Sequence, residues 1–291
     1  MDCRQIESIV HFNEADNIGD GFRMMNFIPN HRNMSMVRMR PFLMLDYNPV
    51  TYFPSGSSNP VSGAHPHKGY ETISIVYNGV LNHKDSNGNR FLLEKGDVHW
   101  MTAGRGIVHQ ENIDDNFMKK GGLFQYVQLW VNLPAAQKNL PASHQVFKNS
   151  QLIKVALENN AGELEIIAGS YNEQKGLANT QTPIHLYNLL LNESGETEIK
   201  LPANFNTGLL VIDGDILVNG TTIVKNNAAV VFANNADSFK LKSTSRDGST
   251  ILVFSGEIID EEISAHGPFI MNKKQEVIQA YNDFKAGKLG L

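Results

Sequence analysis

The chain has 291 residues, 41% of them hydrophobic, enough to bury one large core or two of ordinary size. A formal net charge of −5 with 19% charged residues gives no electrostatic footprint for DNA or RNA, so direct nucleic-acid binding is not expected. Cys3 is the only cysteine, the first residues lack an apolar secretory core, and no apolar run approaches the ~20 residues that span a bilayer. A cytoplasmic protein without disulfides or a membrane partner is expected.

In chain order, "GAHPHKGYE" (63–71) comes first, with two histidines around a proline and a glutamate behind them. "ETISIVYNGVLNH" (71–83) alternates as a strand and breaks at Asn78-Gly79, a hairpin pair. "DSNGNR" (85–90) supplies another turn, and "FLLEKGDVHWM" gives two short strands joined through Lys95-Gly96-Asp97. "FQYVQLWVNL" (124–133) is a longer strand closed by Pro134. Residues 134–150 show little periodicity and read as a connection between halves. The second half repeats the style, from "LIKVALEN" to "STILVFSGEII". Such spacing predicts a sandwich or barrel rather than parallel α/β units.

A faint internal repeat aligns Gly79 with Gly214 and Gly96-Asp97 with Asn227-Ala228. Only the first copy carries metal-ligand residue types. The second has Phe239 and lysines where the first has His109 and Glu111. At the C-terminus the period changes, placing Val277, Ile278, Tyr281 and Phe284 on one helical face. Asn272 with Gln275 resembles a capping box, and Gly287 suits the stop.

Two histidine pairs carry the chemistry. In an extended segment His65, His67, Gly69 and Glu71 share a face, and Pro66 favours that conformation. Imidazoles two residues apart sit about 7 Å apart at the backbone, and their side chains can converge on one ion at ~2.1 Å. His109 and Glu111, preceded by a turn at Gly104-Arg105-Gly106, repeat the design. Adjacent strands of an antiparallel barrel can bring both pairs to one lumen. His65, His67, His109 and Glu111 then offer three neutral nitrogens and a carboxylate, a set for a divalent transition metal with positions left for water, substrate or dioxygen.

Glu71 is a fifth ligand or a residue orienting a ligand imidazole. His99 is a candidate neighbour of the ligands and His266 a candidate pocket cap. His11, His31, His83, His144 and His185 read as solvated or singly bonded. There is no G-x-S-x-G, Walker loop or dinucleotide fingerprint, and Cys3 is poorly placed as a nucleophile.

"RPFLMLDYNP" (40–49), "HPHKGYETIS", "GDVHWMTAGRGIVHQE", "QLWVNLP" and "HGPFIMN" together, in this order, resemble the pirin family of the cupin superfamily. The general cupin pattern is met in part: Gly79 comes one residue late and the gap before His109 is longer, departures that are themselves pirin-like. The resemblance implies an all-β protein of two stacked cupin (jelly-roll) barrels with a short C-terminal helix. Its expected parts are a metal-binding barrel over 1–135, a barrel without metal ligands over 136–268, and a helix over 269–291 packing back on the barrels.

The family draws its carboxylate ligand from two residues after the second-motif histidine, which points to Glu111 and leaves Glu71 beside the site. The implied metal is iron, with Mn, Cu, Co, Ni or Zn as alternatives. Some relatives cleave the flavonol quercetin with dioxygen and others act as transcription co-regulators. The expected function is therefore a metal-dependent quercetin 2,3-dioxygenase, with Glu111 as base and Arg105 either stabilising developing negative charge or making a structural ion pair. The alternative is a metal- or redox-dependent regulatory protein acting on an unidentified protein partner.

Overall fold

The computed structural model describes residues 3–12, 15–18, 22–60 and 63–289. The chain forms β1 (Ile6–His11), β2 (Asp16–Ile18), β3 (Phe22–Ile28), β4 (Phe42–Phe53), β5 (His65–His67), β6 (Tyr70–Asn78), β7 (Leu81–Asp85), β8 (Arg90–Leu93), β9 (Val98–Thr102), β10 (Ile107–Ile113), β11 (Gly122–Asn132) and β12 (Ser143–Phe147) before entering its second half. Two compact units result. One comprises Glu14–Pro29, Phe42–Ser150 and Ile259–Leu291; the other comprises Met1–Asn13, Asn30–Pro41 and Gln151–Ile258.

This division differs from the boundaries expected at 135 and 268, for reasons visible in the pairing. β1 does not join the N-terminal barrel. It pairs antiparallel with Ala228–Phe232, and Val10 is buried there. Arg4 is buried in the same unit, its guanidinium donating to the carbonyls of Phe205 and Pro202. The tail crosses the other way: Phe269, Met271, Val277 and Ala280 pack with Val108 in the unit that holds residues 42–150.

In that unit, a seven-stranded sheet of order β12-β9-β6-β11-β4-β3-β2 faces a four-stranded sheet of order β5-β10-β7-β8. Asn78-Gly79 does not close a hairpin. β6 pairs with β9 and β11, whereas β7 pairs with β8 and β10, so the chain changes sheet at this corner. Gly79 has φ +89°, and a Cβ there would lie 2.6 Å from the Phe124 ring, so the corner admits only glycine. The "DSNGNR" turn is a true hairpin between β7 and β8, closed by Asp85 Oδ1 accepting from the amides of Asn87 and Asn89.

The C-terminal unit has the same plan. Its large sheet runs β1, 228–232, 206–213, 249–256, 184–191, 162–168, 153–156, and its small sheet runs 196–200, 238–243, 216–218, 222–224. The interior is apolar, with Phe232 stacked on Phe239 at 4.4 Å among Leu164, Ile166, Leu209 and Val253. The faint sequence repeat is therefore a repeat of topology. Gly79 and Gly214 both take positive φ at the same corner, as do Gly96 and Asn227 at the next.

The closing helix is Lys274–Lys285. Its first turn is closed by Glu276, whose carboxylate accepts from the amides of Lys273 and Asn272, so the start lies one residue beyond the expected Asn272–Gln275 box. Val277, Ala280 and Phe284 form the packed face, while Ile278 and Tyr281 are exposed. No helix among the described residues is long and apolar enough to cross a membrane.

Candidate metal centre

The sequence builds the centre from β10 outward. Ile107, His109, Glu111 and Ile113 alternate onto its buried face. In the antiparallel register His109 stands opposite His65 of β5 on one side and Asp85 of β7 on the other, and Glu111 stands opposite His83. Directly opposed residues present their side chains to the same face at short range. The small sheet thus aims His65, His67, His83, Asp85, His109 and Glu111 at the facing sheet, which contributes Ser74, His99, Gln128 and Trp130.

Three imidazoles converge. His109 Nε2 lies 2.6 Å from His67 Nε2 and 3.1 Å from His65 Nε2. One ring proton cannot bridge three nitrogens, whereas one cation can sit among three lone pairs, with the rings moving apart slightly to reach ligand distance. The far nitrogens of two rings are already committed. His65 Nδ1 is 2.9 Å from the Gly63 carbonyl, a contact in which it donates. His67 Nδ1 meets the Tyr70 hydroxyl, which in turn donates to the Pro268 carbonyl at 3.3 Å. Both contacts fix the proton on Nδ1 and leave Nε2 free to ligate, the usual arrangement behind a metal-bound histidine. The Trp130 ring meets His67 edge-on at 5.2 Å.

Burial pushes His67 well below the ordinary imidazole pKa, with His109 and His65 adding to the shift. Burial does the same to His109 against the opposing pull of Glu111. Both rings are neutral at physiological pH, the form that binds a cation. His65 is the least buried of the three and marks the open side of the cluster.

Glu111 stands in a group with His83 and His109. Its Oε1 accepts from Ser74 Oγ at 2.9 Å, and its Oε2 accepts from Gln128 Nε2 at 2.7 Å. Gln128 is itself held by the Trp130 indole N–H at 3.0 Å. Burial works to raise the Glu111 pKa, but His83, His99 and His109 overcome it and hold the carboxyl well below the usual range. Glu111 is therefore a buried carboxylate, ionised and oriented.

The residues of this centre lie within a match to the Pirin family model over residues 21–131, and the pirin C-terminal cupin domain matches residues 186–290. A Pseudomonas aeruginosa protein named "Putative quercetin 2,3-dioxygenase" is 36% identical over 93% of both chains. The chain belongs to the pirin family. A tomato (Solanum lycopersicum) pirin-like protein is 31% identical, covering 95% of this chain and 90% of its own. The crystal structure of a quercetin 2,3-dioxygenase from Acinetobacter baumannii superposes with a TM-score of 0.92 at 33% identity, over 99% of this chain and 98% of that one.

The other expected residues of this pirin chain divide. Glu71 is buried away from the imidazoles. Gly69 has φ +91°, which breaks the alternation that would have kept Glu71 on the histidine face. A Cβ at Gly69 would lie 2.0 Å from the Ile270 carbonyl, so the tail locks that kink in place. Glu71 Oε1 instead accepts from Thr102 Oγ1 at 2.7 Å and its Oε2 has no partner, while burial raises its pKa to about 7. Arg105 is exposed and borders a surface cleft with Asp283 and Lys288, outside the ligand groups.

His11 and His266 are exposed, His31 accepts from the Asn33 amide, and His185 bonds the Tyr187 hydroxyl at 2.7 Å. His83 and His144 are not solvated singletons, and His99, expected near the ligands, lies with them. They form a second cluster within the barrel. His144 lies on β12, inside the segment expected to be an irregular connection. His83 and Asp85 repeat the two-residue spacing of the ligand pairs, a signal present in "NHKD".

Proposed function

We propose that this chain is a metal-dependent dioxygenase that opens a flavonol of the quercetin type with O2. The observation that carries the reading is the convergence of the His65, His67 and His109 Nε2 atoms, two of them with their tautomer set by a contact at Nδ1. The relatives named as quercetin dioxygenases support it. His65, His67, His109 and Glu111 would hold one divalent transition metal, with iron as the proposed resident ion. When bound, the ion supplies Lewis acidity toward the flavonol 3-hydroxyl and a place for dioxygen.

The chain's own part follows from the geometry. Glu111 is ionised and takes the 3-hydroxyl proton, as a general base must lie within hydrogen-bond reach of it. Ser74 and Gln128 hold both carboxylate oxygens in place. Tyr70 and the Gly63 carbonyl keep His67 and His65 in the ligating tautomer. Burial of His67 and His109 excludes water from the inner side, so substrate approaches past His65.

The test is oxygen uptake with quercetin by protein reconstituted separately with iron, manganese, copper, cobalt and nickel. Uptake that tracks flavonol loss and vanishes in His109→Ala is the expected result. No turnover with any of the five would overturn the assignment.

A further inference from the structure

The barrel holds a second convergence of imidazoles that the proposed dioxygenase chemistry does not use. One ring nitrogen from each of His83, His99 and His144 lies within 4.8 Å of the other two. We infer that these three residues form a second metal site, selective for a borderline divalent cation of the zinc type and separate from the centre at His65, His67 and His109.

The inner nitrogens have ligand spacing. His99 Nε2 and His144 Nδ1 are 3.0 Å apart, so the two rings already meet where one ion could bridge them. His83 Nε2 is buried without a hydrogen bond, and Asp85 Oδ2, the same oxygen that His144 Nε2 meets, lies 3.6 Å from it. A buried imidazole nitrogen without a hydrogen bond is costly, and a cation removes that cost.

Carboxylates surround the three rings, and both nitrogens of His83 face one. His83 Nδ1 and His99 Nδ1 lie 3.7 and 3.8 Å from Glu111 Oε1, and His144 Nε2 lies 2.8 Å from Asp85 Oδ2. Each ring can therefore carry its proton on the side of a carboxylate and turn its lone pair inward, as metal-bound histidines do. Asp85 is positioned for this by the β7–β8 turn, whose Asn87 and Asn89 amides grip its other oxygen at 2.8 and 3.0 Å.

The donor set and its wall favour a zinc-type ion. Three neutral imidazoles suit zinc, copper and nickel better than the hard cations, which take oxygen ligands. Phe91 packs against all three rings, with centroids at 5.6, 5.2 and 5.2 Å from His83, His99 and His144. This apolar wall leaves His144, 9% exposed at its side chain, as the point of entry. Glu111 lies between the two centres, in a group with His109 of the first and His83 of the second.

The experiment is a titration of metal-free protein with Zn2+ followed by elemental analysis after gel filtration. Wild type is expected to retain two equivalents. The His99→Gln/His144→Gln double variant should retain one, and His65→Ala/His67→Ala should retain the other. Asp85→Asn, which keeps all three imidazoles, should weaken the second equivalent ~10–100-fold. His144→Gln alone, at the exposed edge, serves if the double variant does not fold. A single wild-type equivalent that the His65→Ala/His67→Ala variant loses, or two equivalents in the His144 variants, would overturn the second site. Neither outcome touches the first site, whose loss is read in the His65/His67 variant and in oxygen uptake.

Discussion

His65 and His109 face each other residue for residue across β5 and β10, and their Nε2 atoms close to 3.1 Å. That pairing is the basis of the first centre. The register fixes two candidate ligands on neighbouring strands, and the H-x-H spacing of β5 brings His67 to the same nitrogen of His109 at 2.6 Å. The residues behind the ligands, more than the ligands themselves, distinguish a built metal site from clustered histidines, and they can be tested one at a time.

Tyr70→Phe removes the hydroxyl that meets His67 Nδ1 and leaves the ring packing against Trp130 at 4.5 Å. The first centre should lose ~10–100-fold in metal affinity, measured by competition with a chromophoric chelator, alongside a stability loss of ~1–3 kcal/mol for the unpaired groups left behind. An unchanged affinity would mean that Tyr70 does not set the His67 tautomer.

Glu111→Gln retains the shape of the side chain and its contact with Ser74, but cannot take a proton. Turnover of quercetin should fall by ~10²–10⁴ while His65, His67 and His109 still bind metal. Steady-state oxygen uptake and metal content, read together, separate loss of the base from loss of the ion.

Glu71 gives a pH signature. Burial raises its pKa from 4.5 to about 7, so the folded chain holds a proton that the unfolded chain releases between those values. Its contribution to stability is fully present below about pH 4.5 and is lost as pH rises through 7. Glu71→Gln removes that loss. The variant should gain on wild type as pH rises from 4.5 to 8, by up to about 3 kcal/mol for the 4.5-to-7 shift. Paired urea titrations at several pH values measure the difference. A constant offset would contradict the buried, proton-binding state.

Gly69→Ala places a Cβ 2.0 Å from the Ile270 carbonyl on backbone at φ +91°. The strain alone costs ~1–3 kcal/mol, and the carbonyl must move besides. Chemical denaturation should show the loss. Limited proteolysis should show earlier cleavage in the 259–291 tail, because Gly69 is where that tail is seated.

The meeting of His65, His67 and His109 was legible because its signal is local: an H-x-H on one strand and a histidine on the strand beside it need only that pairing to come together, whereas Glu111 groups instead with His83 and His109. Repeated topology was legible through turn chemistry, since Gly79 and Gly214 mark the same corner. That corner reads as a hairpin because a turn residue reports the bend and not which sheet receives the next strand. Glu71 was misplaced because alternation holds only while the strand is regular, and Gly69 breaks it. His144 was missed for the opposite reason. Pairing with β9 makes its proline-flanked segment a strand, and no local pattern reports a partner forty residues away. The unit boundaries failed likewise, because β1 and the tail are placed by long-range pairing.

The most direct test of the first centre is an anomalous difference map from crystals of protein reconstituted with a single transition metal at low molar excess. The expected result is a peak in contact with the Nε2 atoms of His65, His67 and His109 at ~2.1 Å. A fully occupied ion elsewhere, with those three nitrogens left unligated, would contradict it.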